Sequence, residues 1–559
     1  MRFIVLALLF VLSPAYAVGP EATYATHGMV TSRSVYASQA GIEIMKAGGN
    51  AVDGAVATAF ALAVTYPDAG NLGGGGFAVI RLPNGKVVTN DNREKAPESA
   101  TTDMYLDKDG NVIKGLSLNT IKASGVPGSV DGYLEMLDKY GTMTRQQVMA
   151  PAIRLARDGF PLSHDMALQI AYFLPKMKRF PASYKKFTKN GEPYQEGDIF
   201  KQPDLAQTLE RISKQGRDGF YKGKTAKLIA RFMANNDGLI TEKDLADYHS
   251  VWRAPIHGTY RGYDIWSMGP PSSGGVLVAM ILNMLEPYDL GSLGWHSAAA
   301  IHLIVEAERR AYADRATYLG DPDFYKVPLK ALLDKAYAKK RFADVKPDKA
   351  TPSKDVGAGS WPKESMETTH FSVADDKGGI VSMTTTLNSS FGNKIVVPGT
   401  GMLLNNEMND FSIKPNTPNQ FGLIGHDANK VEASKRMLSS MSPTIVTKDG
   451  KPFLAVGSPG GGTIITTVLQ VITNVIDYHM DISDAVSLPR FHHQWEPDLV
   501  MYSPYAFSPD TAKILESMGY NLKEIQWGRG IGDANSIEYR DGAIYGVKDP
   551  RNEGGAIGF

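Results

Sequence analysis

Thr368 and Thr386 stand at the two ends of what reads as one β-hairpin, which would set two threonine hydroxyls, each a candidate nucleophile once activated, side by side. The segment Glu367-Thr368-Thr369-His370-Phe371-Ser372-Val373 opens the first run, 368–374. The loop Asp375-Asp376-Lys377-Gly378-Gly379 leads into the second, 380–387. Both runs are rich in Thr and Val, and a short loop containing Gly suits a hairpin. A loop symmetric about Lys377 sets position 368 opposite 386, with both side chains on one face. A threonine hydroxyl is a poor nucleophile until a base takes its proton, and no base is near in sequence. Cutting the bond before Thr368 would supply one, because a free α-amine has a pKa near 7.7–8.0. Most strand threonines only pack, so the pair needs a site around it.

Further groups suited to such a site are scattered along the chain. Gly457-Ser458-Pro459-Gly460-Gly461-Gly462 lies between an expected strand, 453–457, and an apolar helix, 463–476. It lacks the lysine of a nucleotide-binding P-loop, but its consecutive N–H groups at a helix entrance suit an anion or oxyanion. Arg93, in Asp91-Asn92-Arg93-Glu94, is a surface ion pair unless a carboxylate-bearing substrate calls for it. Polar clusters follow the hairpin: Asn388, Asn405-Asn406-Glu407-Met408-Asn409-Asp410-Phe411, and Leu438-Ser439-Ser440-Met441-Ser442-Pro443-Thr444. His492-His493 would point to opposite faces of an extended segment, so a structural role is expected rather than a shared metal.

The elements that must position these groups are legible in outline. Helices are expected at 34–46 and 51–65, the second Ala-rich and buried. The glycine run 73–76 has no following helix and no lysine for phosphate, which points to backbone passing close to something else. A hairpin with an Asn84-Gly85 turn should span 77–82 and 86–90. From 129 to about 333 the pattern is mostly helical, with clear helices at 129–139, 145–157, 276–285 and 297–318. Gly269-Pro270-Pro271-Ser272-Ser273-Gly274-Gly275 reads as a helix-entry loop with hydroxyl caps. An apolar strand is expected at 401–404, and 412–427, carrying an exposed Phe421, reads as a long lid-like loop.

Bulk composition narrows the classes. The chain has 559 residues, 43% apolar and 21% charged, as in globular proteins. Lys+Arg and Asp+Glu both number 59, which argues against a nucleic-acid partner. Cysteine is absent, so disulfides, thiol nucleophiles and Cys-based metal sites are excluded. Residues 1–17 have a basic start, a short apolar run and Ala15-Tyr16-Ala17, the pattern of a cleaved secretory leader. No second apolar run of spanning length follows. A mature protein beginning near Val18, without a membrane anchor and periplasmic or secreted, is expected.

Taken together, residues 71–77, 91–97, 269–275, 368–373, 384–392, 404–411, 438–444, 457–462 and 489–495 resemble the γ-glutamyltranspeptidase family, in the family's order. The resemblance implies an N-terminal-nucleophile hydrolase, an α/β (α+β) protein with a four-layer αββα sandwich. It implies a precursor that cuts itself between Glu367 and Thr368 into a large subunit, 18–367, and a small subunit, 368–559, that form one unit. By the same resemblance Thr368 is the nucleophile, Thr386 orients it, and the N–H groups of Gly460 and Gly461 form the oxyanion hole. Arg93, Ser439 and Ser440 would receive the α-carboxylate of a γ-glutamyl group, and Asn388, Glu407 and Asp410 its ammonium. Phe421 falls where lid-bearing bacterial members often carry Tyr. No cofactor or metal is implied; glutathione and other γ-glutamyl compounds are the expected donors, with water, amino acids or dipeptides as acceptors. Two other readings are an acylase of the same superfamily acting on β-lactam side chains, and a non-catalytic secreted binding protein.

Overall fold

The computed structural model describes residues 19–357, 369–415, 417–526 and 530–559. The expected leader, the bond between Glu367 and Thr368, and Thr368 itself lie outside them.

Strand alternation builds the layers. In Thr369–Asp375, Phe371 and Val373 join a core shared with helices, whereas Ala374 joins a different, inter-sheet core. This strand lies at the centre of an antiparallel sheet ordered Gly555–Gly558, Gly28–Ser32, Thr369–Asp375, Ile380–Thr386, Gly75–Arg81, Val87–Asp91, Val251–Arg253. A second antiparallel sheet runs Thr23–Ala25, Ala543–Val547, Ser536–Arg540, Lys451–Val456, Thr444–Lys448, Tyr263–Ser267, Ile256–Tyr260. Met29, Phe77, Val79 and Ile380 of the first sheet meet Ile445, Ala455, Ile537 and Ile544 of the second. Helices Val35–Lys46 and Ala51–Thr65 cover the outer face of the first sheet. Helix Gly274–Leu285 covers the second, with Ala298–Tyr318 and Thr463–Ile476 packed on it. The result is a four-layer αββα sandwich.

Helix Ala51–Thr65 shows how local sequence serves this plan. Asn50 Oδ1 accepts the N–H groups of Val52 and Asp53, and the Asp53 carboxylate returns to the Asn50 N–H, a capping box. Every residue of the helix is buried, which its Ala-rich, nearly uncharged sequence permits.

The central hairpin pairs Thr369 with Thr385 and Ala374 with Ile380, a register symmetric about Lys377. Its two strands lie between Gly28–Ser32 and Gly75–Arg81, so residues from before and after position 368 are interleaved in one sheet. The glycine run makes this close fit possible. A Cβ at Gly74 would lie 2.0 Å from the Thr386 carbonyl oxygen, and one at Gly76 would lie 2.3 Å from that of Thr384.

One expectation is corrected. Residues 401–404 do not form a strand; Gly401 has φ 67°, and only an isolated bridge joins Leu403 to Val396. The mostly helical stretch also contains strands Val251–Arg253, Ile256–Tyr260 and Tyr263–Ser267, which complete the edges of both sheets. The turn between the last two uses Arg261 at φ 49° and Gly262 at φ 82°, and an Arg in that position disguises a hairpin. Among the described residues no helix is long and apolar enough to cross a membrane.

Candidate active site

Arg93 emerges just beyond strand Val87–Asp91 and is held at both ends of its peptide unit. Asp91 accepts its N–H at 3.0 Å, and the Tyr248 hydroxyl donates to its carbonyl at 2.8 Å. The side chain is only 1% exposed. Its Nε donates to the Met437 carbonyl at 3.2 Å, its Nη1 to Glu407, and its Nη2 to Asp410 at 2.5 Å. The resemblance assigned Arg93 to an anion and the two carboxylates to a cation. Here they contact one another directly, as buried opposite charges do.

The charge balance around this arginine is uneven. Glu94 lies 3.8 Å from it and is fully buried, and among the described residues neither of its carboxylate oxygens has a hydrogen-bond partner. Burial pushes the Glu94 carboxyl up to about 8, with Arg93 opposing. Burial also raises Glu407 and Asp410, again against the pull of Arg93. One guanidinium thus faces more carboxylate than it can neutralise.

Thr386 ends the second hairpin strand. Its Oγ1 accepts the Asn388 N–H at 2.8 Å, so the threonine's own proton is directed to another acceptor. Asn71 anchors this strand end: its Nδ2 donates to the Thr386 carbonyl at 2.7 Å and to Thr385 Oγ1 at 3.1 Å. Its Oδ1 accepts from the Gly74 N–H and the Ser129 hydroxyl. Asn388, at φ 74°, donates to the Asn406 carbonyl, while its Oδ1 is buried without a partner among the described residues. Glu407 Oε2 is likewise unpartnered among them. Two buried acceptors without donors suit an ammonium.

Ser439 and Ser440 present the opposite polarity. Ser439 Oγ accepts the Met441 N–H at 3.1 Å, and Ser440 Oγ accepts from Arg315 Nη2 at 3.1 Å. Each hydroxyl proton therefore remains for donation, as a carboxylate requires. The loop carrying them is fastened by residues 271–273. Ser439 N–H donates to the Pro271 carbonyl, Ser272 Oγ to the Met441 carbonyl, and Ser273 Oγ to the Ser439 carbonyl. Of the two serines expected to cap the following helix, Ser272 does so, its Oγ accepting the Gly274 N–H at 3.2 Å, whereas Ser273 makes no cap because its hydroxyl is committed to this loop.

The glycine-rich turn enters helix Thr463–Ile476 with Gly460 at φ 133° and Gly461 at φ 55°, values that exclude most side chains. Among the described residues neither N–H has a backbone acceptor. A Cβ on Gly461 would lie 2.7 Å from the Phe421 ring. Phe421 is therefore not exposed, as its loop suggested, but buried at 5% exposure over this turn. The Asn419 side chain holds its N–H, and Gln494 reaches its carbonyl.

One cavity gathers Arg93, Thr386, Asn388, Glu407, Asp410, Phe421, Ser439, Ser440 and Gly461, with Gly460 adjacent in the turn. Of the expected catalytic and substrate-binding residues, only Thr368 lies outside the described residues. Sequence reasoning missed Arg315, Glu94 and Asn71. Arg315 sits in helix Ala298–Tyr318, whose Glu-Ala-Glu-Arg-Arg pattern looks solvated but is buried. His492 and His493 are both fully buried; His492 bonds Thr466 and Gln494, while His493 reaches Trp495 and Asp498. They serve separate packing networks.

A family profile for gamma-glutamyltranspeptidase matches residues 37–559. The chain is 51% identical over 536 residues to a glutathione hydrolase proenzyme of Escherichia coli (strain K12), covering 94% of this chain and 91% of the relative. A cephalosporin acylase from Bacillus halodurans superimposes with a TM-score of 0.87 at 27% identity, covering 99% of each chain. The γ-glutamyltranspeptidase of Helicobacter pylori matches at 50% identity and a TM-score of 0.57, over 58% of this chain and 93% of its own.

Proposed function

The chain belongs to the γ-glutamyltranspeptidase family, and from that premise we propose a self-processing γ-glutamyltransferase and glutathione hydrolase whose nucleophile is Thr368. The observation that carries the reading is the single cavity in which buried acceptors at Asn388 and Glu407 face donor hydroxyls at Ser439 and Ser440. That polarity matches the ammonium and carboxylate of a γ-glutamyl group.

In the precursor, the Thr368 hydroxyl attacks the Glu367 carbonyl; the C–N bond breaks as an ester forms, which frees the α-amine, and water then hydrolyses the ester to a Glu367 carboxylate and the Thr368 hydroxyl. Subunits 18–367 and 368–559 then stay together through the interleaved sheets. In the mature enzyme this amine takes the Thr368 hydroxyl proton as the oxygen attacks the γ-amide carbonyl, and Thr386 orients the attacking oxygen. The N–H groups of Gly460 and Gly461 hold the oxyanion. Collapse of the tetrahedral adduct expels the amine, which for glutathione is cysteinylglycine, and leaves a γ-glutamyl ester. Water or an amino-acid or dipeptide amine then takes the acyl group. The leader 1–17 is removed on export, and the enzyme is periplasmic or secreted without a membrane anchor.

Purified protein incubated with glutathione should release glutamate, and adding glycylglycine should divert part of it to γ-glutamyl-glycylglycine. A glutaryl amide lacking the α-ammonium should be turned over far more slowly. Preference for the glutaryl amide would favour an acylase instead.

A further inference from the structure

Among the described residues, Arg315 is the one cation lining the cavity besides Arg93, and it belongs to neither sheet. It stands near the C-terminal end of helix Ala298–Tyr318 and is 4% exposed. Its Nε donates to Ser273 Oγ at 2.9 Å and its Nη2 to Ser440 Oγ at 3.1 Å. The Ser273 hydroxyl in turn donates to the Ser439 carbonyl at 2.7 Å. The guanidinium thus spans the helix, the Gly-Pro-Pro-Ser-Ser-Gly-Gly loop and the serine pair.

A guanidinium has donors and no acceptor, so its bond to Ser440 fixes the serine oxygen as acceptor and turns the serine proton elsewhere. Arg93 already meets the carboxylates of Glu407 and Asp410 directly. Arg315 instead donates to the hydroxyls of Ser273 and Ser440.

We infer that Arg315 is a specificity-determining residue: acting through Ser440, whose hydroxyl it orients, it selects donors that carry an α-carboxylate. The inference rests on the γ-glutamyl reading above. It assigns a role to residues 269–275 as well, as the brace that sets Arg315 and the serines in one geometry.

Competitive inhibition separates this role from structural support. L-Glutamate and 4-aminobutyrate differ only by the α-carboxylate, and neither needs to be turned over. In the wild-type protein L-glutamate should inhibit more strongly than 4-aminobutyrate; if it does not, the γ-glutamyl reading fails before Arg315 is tested. Arg315→Met should weaken L-glutamate at least about tenfold, the loss expected for one charge-assisted contact, and 4-aminobutyrate by less than about threefold. Donor KM should rise while kcat stays within about threefold. Equal weakening of both inhibitors, or a fall in kcat alone, would overturn the inference. Arg315→Lys, which keeps the charge but not the fork, serves if the Met variant does not fold or mature. It should show the same selective loss, and in a Ser440→Ala background it should add little. A full further loss in that background would show that Arg315 does not act through Ser440.

Discussion

Arg93 Nη2 lies 2.5 Å from the Asp410 carboxylate while Nη1 contacts Glu407, so the arginine expected to bind substrate is ion-paired inside its own pocket. On the proposed reading, the carboxylate of a γ-glutamyl donor would take the guanidinium and serines, and its ammonium the acidic oxygens.

Arg93→Ala should accordingly damage both binding and stability. Removing one partner of a buried ion pair typically costs about 3–5 kcal/mol because the remaining charges are stranded. Thermal unfolding should shift down, and kcat/KM for glutathione should fall by at least about a hundredfold through the loss of a charge-assisted contact. Unchanged donor KM, measured on the folded fraction, would remove Arg93 from the pocket.

Gly461→Ala tests the turn beneath Phe421. The new methyl meets the Phe421 ring at 2.7 Å on a backbone of φ 55°. The expected result is a kcat loss approaching the 10²–10³ range typical of a missing oxyanion donor. Adding Phe421→Ala should recover part of it, because the clash is removed and only the backbone strain remains. No recovery would place the whole effect in the backbone.

Glu94 predicts a pH dependence of stability. Its folded pKa of about 8 lies above the ordinary 4.5, so folding takes up a proton in between. That stabilisation is fully present below about pH 4.5 and is lost as pH rises through about 8. The wild-type melting temperature should therefore fall between about pH 6 and 9 more steeply than that of Glu94→Gln, which stays neutral throughout. Parallel profiles would show that Glu94 is ionised in the folded protein.

Asn71→Asp should disable the enzyme without changing side-chain size. Asn71 Nδ2 donates to the carbonyls of Ala69 and Thr386 and to Thr385 Oγ1, and a carboxylate oxygen there would face carbonyl acceptors. Leaving buried acceptors unpaired costs about 1–3 kcal/mol each, more beside a charge. Loss of activity with a lowered melting temperature is expected, and wild-type kinetics would deny the strand end its role.

The sequence made the hairpin register readable, because strand propensity and a glycine loop fix a two-residue period about Lys377. Helix Ala51–Thr65 was readable for the same kind of reason, since few charges interrupt it. Most pocket residues were reached only through the resemblance, because Arg93, Asn388 and Ser439 come from separate elements and no local pattern links them. Arg315 escaped because charges spaced three and four apart on a helix usually mark a solvated face. The fold instead buries that helix and satisfies its charges with partners far away in sequence, such as Ser440. Phe421 was misjudged because loop composition does not reveal a glycine turn waiting beneath its ring.

The central claim is the cut that frees the Thr368 amine, and the intact mass of freshly purified protein tests it most directly. Two polypeptides are predicted, with the second beginning at Thr368 and ending at Phe559, and Thr368→Ala should remain one chain. A single uncut chain from the wild type, a break at another bond, or cleavage before residue 368 in the Thr368→Ala protein would contradict the account.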